Sequence, residues 1–234
     1  MKFDKIIYTA LVIAALLVGM SIGSIAQAKE PRILAIGDSL MVWNRAQRRS
    51  IPQVVSSILK EPVQSRAVSG AMMIYALPIS GAMGMRIPSQ YRDDGVDWVV
   101  VNGGGNDLWL GCGCRRCDGR MNRMISANGT RGDVPKLIKD IRATKAKVIY
   151  IGYLRSPGVG SAIDHCRNEG NEYERRIEAM AKSMDGVYFI SNADLVPSGD
   201  RSFHDKDLIH PSEKASIEIA KRVVQVIRKY DATR

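Results

Sequence analysis

The chain has 234 residues, 45% hydrophobic and 25% charged, and carries a formal net charge of +10 at pH 7. That length is ample for one domain with its own core. A basic chain can meet anionic polysaccharide, membrane headgroups or nucleic acid. No helix-turn-helix, RNP motif or aromatic-interleaved basic stripe accompanies the charge, so nucleic acid is not expected.

The chain opens Met1-Lys-Phe-Asp-Lys5, runs apolar from Ile6 to Ile25 and reaches Ala26-Gln27-Ala28. A short charged start, an apolar run and an Ala-x-Ala site read as a secretory signal peptide over residues 1–28, cleaved after Ala28. The rival is an uncleaved anchor, because twenty mostly apolar residues just span a bilayer. Gly19, Ser21, Gly23 and Ser24 dilute the run near the site, which suits processing. Removal leaves 206 residues at +9, a single domain over residues 29–234 with no linker or composition break. The remainder is expected outside the cytoplasm, in a bacterial periplasm or secreted. No second apolar stretch is long enough to span a membrane.

Five short apolar runs read as buried strands: Ile33–Ile36, Val63–Val68, Trp98–Val101, Val148–Tyr153 and Val187–Ile190. Helical patterns lie between them. Ser50-Ile-Pro-Gln53 reads as a capping box ahead of Val54, Val55, Ile58 and Leu59. Asp133 is placed to cap a helix carrying Val134, Leu137, Ile138 and Ile141, and another helix runs through Tyr173, Ile177, Met180 and Met184. The last starts near Ser212 after Pro211 and turns Ile217, Ala220, Val223, Val224 and Ile227 inward. Strands alternating with helices predict an α/β fold, a three-layer α/β/α sandwich around a five-stranded parallel sheet.

The first strand stops at Gly37-Asp38-Ser39-Leu40, so a serine emerges at the carboxyl edge, where open α/β sheets place their chemistry. A Ser is a poor nucleophile without a base, and a histidine base needs a partner to fix its tautomer. Asp207-Leu-Ile-His210 offers His210 as the base, with a carboxylate three residues before it. Of the other two histidines, His165 lies in a glycine-rich loop, and His204 with Asp205 forms a minor rival pair. The third strand ends in Gly104-Gly105-Asn106-Asp107.

This set resembles the GDSL, or SGNH, hydrolases, a family of serine esterases, lipases, thioesterases and carbohydrate deacetylases. The resemblance covers about residues 32–230 and keeps the family's order of four blocks. It implies a flavodoxin-like strand order 2-1-3-4-5 and a catalytic set of Ser39, Asp207 and His210. It also implies an oxyanion hole formed by the Ser39 N–H, a glycine N–H from the second block and the Asn106 side chain. Gly70, directly after the second strand, is preferred for that glycine over Gly81, which repeats the same Ser-Gly-Ala-Met tetrapeptide. Gly104 would let the Asn106 turn form. Asp38 and Asp107 read as structural residues capping adjacent turns. No cofactor is implied, and no metal, because no His/Asp/Glu cluster has ligand spacing.

Gly111-Cys-Gly-Cys-Arg-Arg-Cys117 follows, and Cys166 is the fourth cysteine. In an exported chain Cys112, Cys114, Cys117 and Cys166 read as two disulfides. Cys112–Cys117 with Cys114–Cys166 and Cys114–Cys117 with Cys112–Cys166 both remain open, and a four-cysteine zinc site is the rival. In the implied strand order the two cysteine-bearing loops emerge side by side, so a bridge would clamp one wall of the site. Function then reads as hydrolysis of a lipid, thioester or O-acetylated sugar ester through an acyl-enzyme. The alternatives are an O-acyltransferase acting on extracellular glycan and an inactive carbohydrate-binding relative.

Overall fold

The structure, a computed structural model, describes residues 30–232. The expected signal peptide lies outside the described residues.

Strands β1 (Ile33–Ile36), β2 (Val63–Ser65), β3 (Trp98–Val101), β4 (Lys147–Ile151) and β5 (Val187–Ile190) form one sheet. Its order is β2-β1-β3-β4-β5, and every neighbouring pair is parallel. β2 is shorter than its apolar run predicts. It leaves the ladder at Ser65, while Arg66 N and Val68 N still donate to Ala35 O and Gly37 O at 2.9 and 3.1 Å. β4 starts at Lys147 and ends at Ile151, releasing Gly152 and Tyr153 to the loop beyond.

Alternate residues along each strand feed two separate cores, as expected of a parallel sheet covered on both faces. Leu34, Ile36, Val99, Val101, Val148 and Tyr150 pack under helices α3 (Gly105–Cys112), α4 (Asp118–Met124), α5 (Asp133–Ala143) and α6 (Arg167–Ser183). Ile33, Trp98, Val100, Ile149 and Ile151 face the other way, onto α1 (Ser39–Val42), α2 (Ile51–Leu59) and α7 (Glu213–Tyr230).

The predicted caps are mostly in place. Ser50 N and Oγ donate to Gln53 Oε1 at 3.2 and 2.8 Å, and the Ser212 hydroxyl accepts from Ala215 N at 3.3 Å. Asp133 is instead the first helical residue of α5, and Gly132 holds the cap position at φ 120°. A Cβ there would sit 2.4 Å from Met124 O, so glycine is needed for the close approach. Ile217 is half-buried on α7 rather than fully inward, and Met184 lies one residue beyond α6.

The register brings the site to one edge. Ile36 pairs with Val101 and Val101 with Tyr150, so the loops carrying Ser39, Asn106 and Tyr153 leave the sheet at a common height.

Candidate active site

The turn that presents Ser39 begins at Gly37, at φ 150°, where a Cβ would meet Asn102 O at 2.8 Å. Gln90 locks this backbone by accepting from Gly37 N at 2.7 Å and donating to Gly37 O at 2.9 Å. Asp38 then caps α1 by accepting from Leu40 N at 3.0 Å, leaving Ser39 as the first helical residue.

His210 Nε2 lies 2.8 Å from Ser39 Oγ, and its Nδ1 lies 2.5 Å from Asp207 Oδ2. The other Asp207 oxygen accepts from Ile209 N and His210 N, each at 3.0 Å. Burial alone would raise the Asp207 carboxyl, but the His210 bond and these two amides outweigh it and hold the group below its ordinary value. Asp207 therefore stays ionised beside the imidazole. The line Asp207–His210–Ser39 has the connectivity of an acid–base–nucleophile triad.

Asn106 stands in the first turn of α3. Gly104 precedes it at φ 96°, where a Cβ would run into the Tyr173 ring at 2.4 Å. Asn106 Nδ2 donates to Ala71 O at 3.0 Å. An amide nitrogen carries two protons, so the second remains to be aimed elsewhere. Gly70 adjoins that carbonyl and occupies the left-handed position, φ 77°, of a turn closed by Ala71 N to Val68 O at 3.1 Å. Gly81 does not compete for the same role, since its N–H donates to Leu77 O at 2.9 Å.

Both flanking aspartates reach further than the local caps expected of them. Asp107 does not cap its own helix: its oxygens accept from Met73 N at 2.7 Å and Ile74 N at 2.9 Å, more than thirty residues away. Burial raises its carboxyl above 3.8, opposed by those two amides and by Arg120, whose Nη2 lies 3.5 Å away. Asp38 also accepts from the Tyr153 hydroxyl, which in turn accepts from Gly105 N at 3.0 Å. With its amide oriented to suit its neighbours, Asn102 donates to Asp38 Oδ1 at 2.7 Å. Full burial pushes Asp38 up to about 6 despite these bonds.

The rival histidines take no part in the line. His165 is exposed, whereas His204 is buried with neither ring nitrogen hydrogen-bonded. Burial lowers the His204 pKa, which favours its neutral form.

The cysteines pair as Cys112–Cys117 and Cys114–Cys166. Cys114, His165 and Cys166 offer ligand atoms within 4.8 Å of one another, the one compact set of that kind among the described residues. Two of its three sulfur and nitrogen donors are bonded to each other, so thiolate ligation is blocked and the zinc rival is set aside. The Cys114–Cys166 bridge joins the loops after β3 and β4. It walls a cavity of about 130 Å³ that opens at Ser39 and His210 and is lined by Leu40, Leu108, Leu154, Ile163 and Ile209. At its base Arg155 grips Glu174 through two parallel bonds of 2.7 and 2.9 Å.

A model of the GDSL-like lipase/acylhydrolase family matches residues 35–216. No curated protein matches the chain. Among solved structures, a GDSL-like lipase from Bacteroides thetaiotaomicron superposes with a TM-score of 0.60 at 19% identity, covering 92% of this chain and 95% of that one. TesA superposes at 0.60 with 18% identity, covering 84% and 98%. A family two carbohydrate esterase from Clostridium thermocellum, in complex with cellohexaose, gives 0.54 at 21% identity. That match covers 86% of this chain, which spans only 64% of the esterase. At these identities the likeness is one of fold.

Proposed function

The chain belongs to the GDSL-like lipase/acylhydrolase family, and on that premise we propose that it is an exported serine esterase working through an acyl-enzyme. The observation that carries the reading is the unbroken line from Asp207 through His210 to Ser39, at 2.5 and 2.8 Å. His210 Nε2 takes the Ser39 proton as Oγ attacks the ester carbonyl, then returns it to the departing alcohol. Asp207 holds the imidazole in the tautomer with Nε2 free and stabilises the imidazolium. The Ser39 and Gly70 N–H groups and the second Asn106 amide proton stabilise the oxyanion. Water, activated by the same histidine, then releases the acid.

The cavity favours an apolar acyl group. An apolar void of about 150 Å³ accepts a benzene-sized guest, so the volume here suits a short acyl chain. Export is supported by the two disulfides, which persist in oxidising compartments. No helix among the described residues is long and apolar enough to cross a membrane. Sequencing of the mature N-terminus tests the signal peptide, and a start at Lys29 is expected.

Ser39→Ala should cost on the order of 10⁴–10⁶ in kcat on a short-chain aryl ester. Labelling by a fluorophosphonate probe should map to the peptide containing Ser39. A clean Ser39→Ala preparation with near-wild-type rates would overturn the mechanism. Asn106→Ala should cost about 10²–10³ in kcat with KM little changed. Product analysis with and without a glycan acceptor separates hydrolysis from acyl transfer.

A further inference from the structure

Two in-plane hydrogen bonds fix the His210 ring at Nδ1 and Nε2, but they leave it free to tilt about the line joining those atoms. That tilt is opposed from one face. The Trp43 indole lies parallel to the imidazole, with ring centroids 3.7 Å apart and an interplanar angle of 3°. Trp43 directly follows α1, and its N–H donates to Ser39 O at 2.8 Å, so one short segment carries both the nucleophile and this platform. Its indole Nε1–H donates to Asp205 Oδ2 at 2.8 Å. Asp205 N in turn donates to His210 O at 2.8 Å, closing a loop from the indole to the backbone of the histidine it supports.

We propose that Trp43, anchored by Asp205, is a positioning residue that holds the base in plane and favours its charged form. The inference rests on the assignment of His210 as the base. An indole face is negative and attracts a cation placed over it. Parallel stacking therefore favours the imidazolium, the form the base takes once it has accepted the Ser39 proton. The Asp205 carboxylate, drawing on the indole N–H, reinforces that preference. The charged groups facing His210 are Asp207 at Nδ1, Asp38 beyond β1 and Asp205 across the indole.

Trp43→Leu should lower kcat about 5–30-fold, the size of a partly desolvated cation–π contact, with KM within about twofold. It should also move the acid limb of the kcat/KM profile to lower pH, because the charged imidazole has lost a partner. Trp43→Phe, which keeps an aromatic face, should recover part of the rate. The chain has three tryptophans, so the wild-type minus Trp43→Phe fluorescence isolates one indole. A stacked imidazolium quenches indole emission, and this difference should titrate along the acid limb of the activity. The same titration in Ser39→Ala needs no turnover, so it stands even if the esterase reading fails. Trp43 emission flat across the pH range in which activity is lost would overturn the proposal. So would a folded Trp43→Leu enzyme with unchanged kcat and acid limb.

Discussion

On one side of Asn106, the chain from Gly70 to Ile74 is held by a buried carboxylate, Asp107, through the Met73 and Ile74 amides. On the other side, the loops after β3 and β4 are held by a covalent bond, Cys114–Cys166. The carboxylate fixes backbone direction, because two short bonds specify where the amides point, and it acts only while ionised. A disulfide does not titrate and acts largely by restricting the unfolded chain. The difference suits the work of each wall. With Gly70 donating to the oxyanion as proposed, its side of the site depends on the direction of an N–H. The other side bounds a cavity, for which holding two loops together suffices.

The largest effect is expected on the covalent wall. Cys114 and Cys166 close a loop with a sequence separation of 52. Chain entropy assigns such a loop about 4 kcal/mol. The double variant Cys114→Ala, Cys166→Ala should lose about that much in urea unfolding. Its ester chain-length profile should also broaden toward longer acyl groups as the wall loosens. An unchanged midpoint and an unchanged profile would place the clamp elsewhere.

Next comes Asp38, which ties the floor of that wall to the nucleophile turn through Tyr153. Its carboxyl ordinarily titrates at 3.8 and is pushed up to about 6 in the fold. Between those values the unfolded chain has released the proton while the folded chain retains it, so stability falls as pH rises through the window. The gap corresponds to about 3 kcal/mol. The stability of Asp38→Asn relative to wild type should therefore improve by roughly that amount from pH 4 to pH 7. A difference that stays constant across the window would contradict the burial cost.

Asp107→Asn tests the opposite wall with almost no change in shape. The new amide nitrogen must face either Met73 N or Ile74 N, setting donor against donor. A buried donor left unpaired costs about 1–3 kcal/mol. The loss should come with a fall in kcat rather than a rise in KM, since it displaces Ala71, which positions the Asn106 amide. Full activity in a folded Asp107→Asn enzyme would leave the carboxylate with a stabilising role alone.

Much of this arrangement was legible beforehand, for identifiable reasons. β1, β3 and β5 match their apolar runs residue for residue, because strands buried on both faces read as unbroken hydrophobic stretches. Ser39, Asn106, Asp207 and His210 carry recognisable spacing. The reach of Asp107 to Met73 and the seat of Trp43 on His210 do not, since each joins segments far apart in sequence. Helices α3 and α4 were hidden for a different reason: the glycines and cysteines of residues 104–119 read as a loop, whereas two short helices form there, joined by Cys112–Cys117. The cysteine spacing left two pairings open because it constrains ring size but not direction, which depends on where α3 ends.

Cys112 ends α3 and Cys117 immediately precedes α4, with Gly113 at φ 63° turning the chain between them. Their bridge spans a sequence separation of only 5, for which chain entropy gives about 2 kcal/mol, half the value of the long bridge. Cys112→Ala with Cys117→Ala should therefore lower stability by about 2 kcal/mol. It should leave kcat on a short-chain ester close to wild type, because neither sulfur lines the cavity and Cys114–Cys166 still joins the two loops. The two double variants should therefore separate, one moving the acyl-length profile and the other only the unfolding midpoint. Removal of the short bridge alone that depresses kcat as strongly as removal of the long one would contradict this. The helical turn holding Asn106 would then depend on Cys112–Cys117, and the short bridge would belong to the oxyanion side of the site.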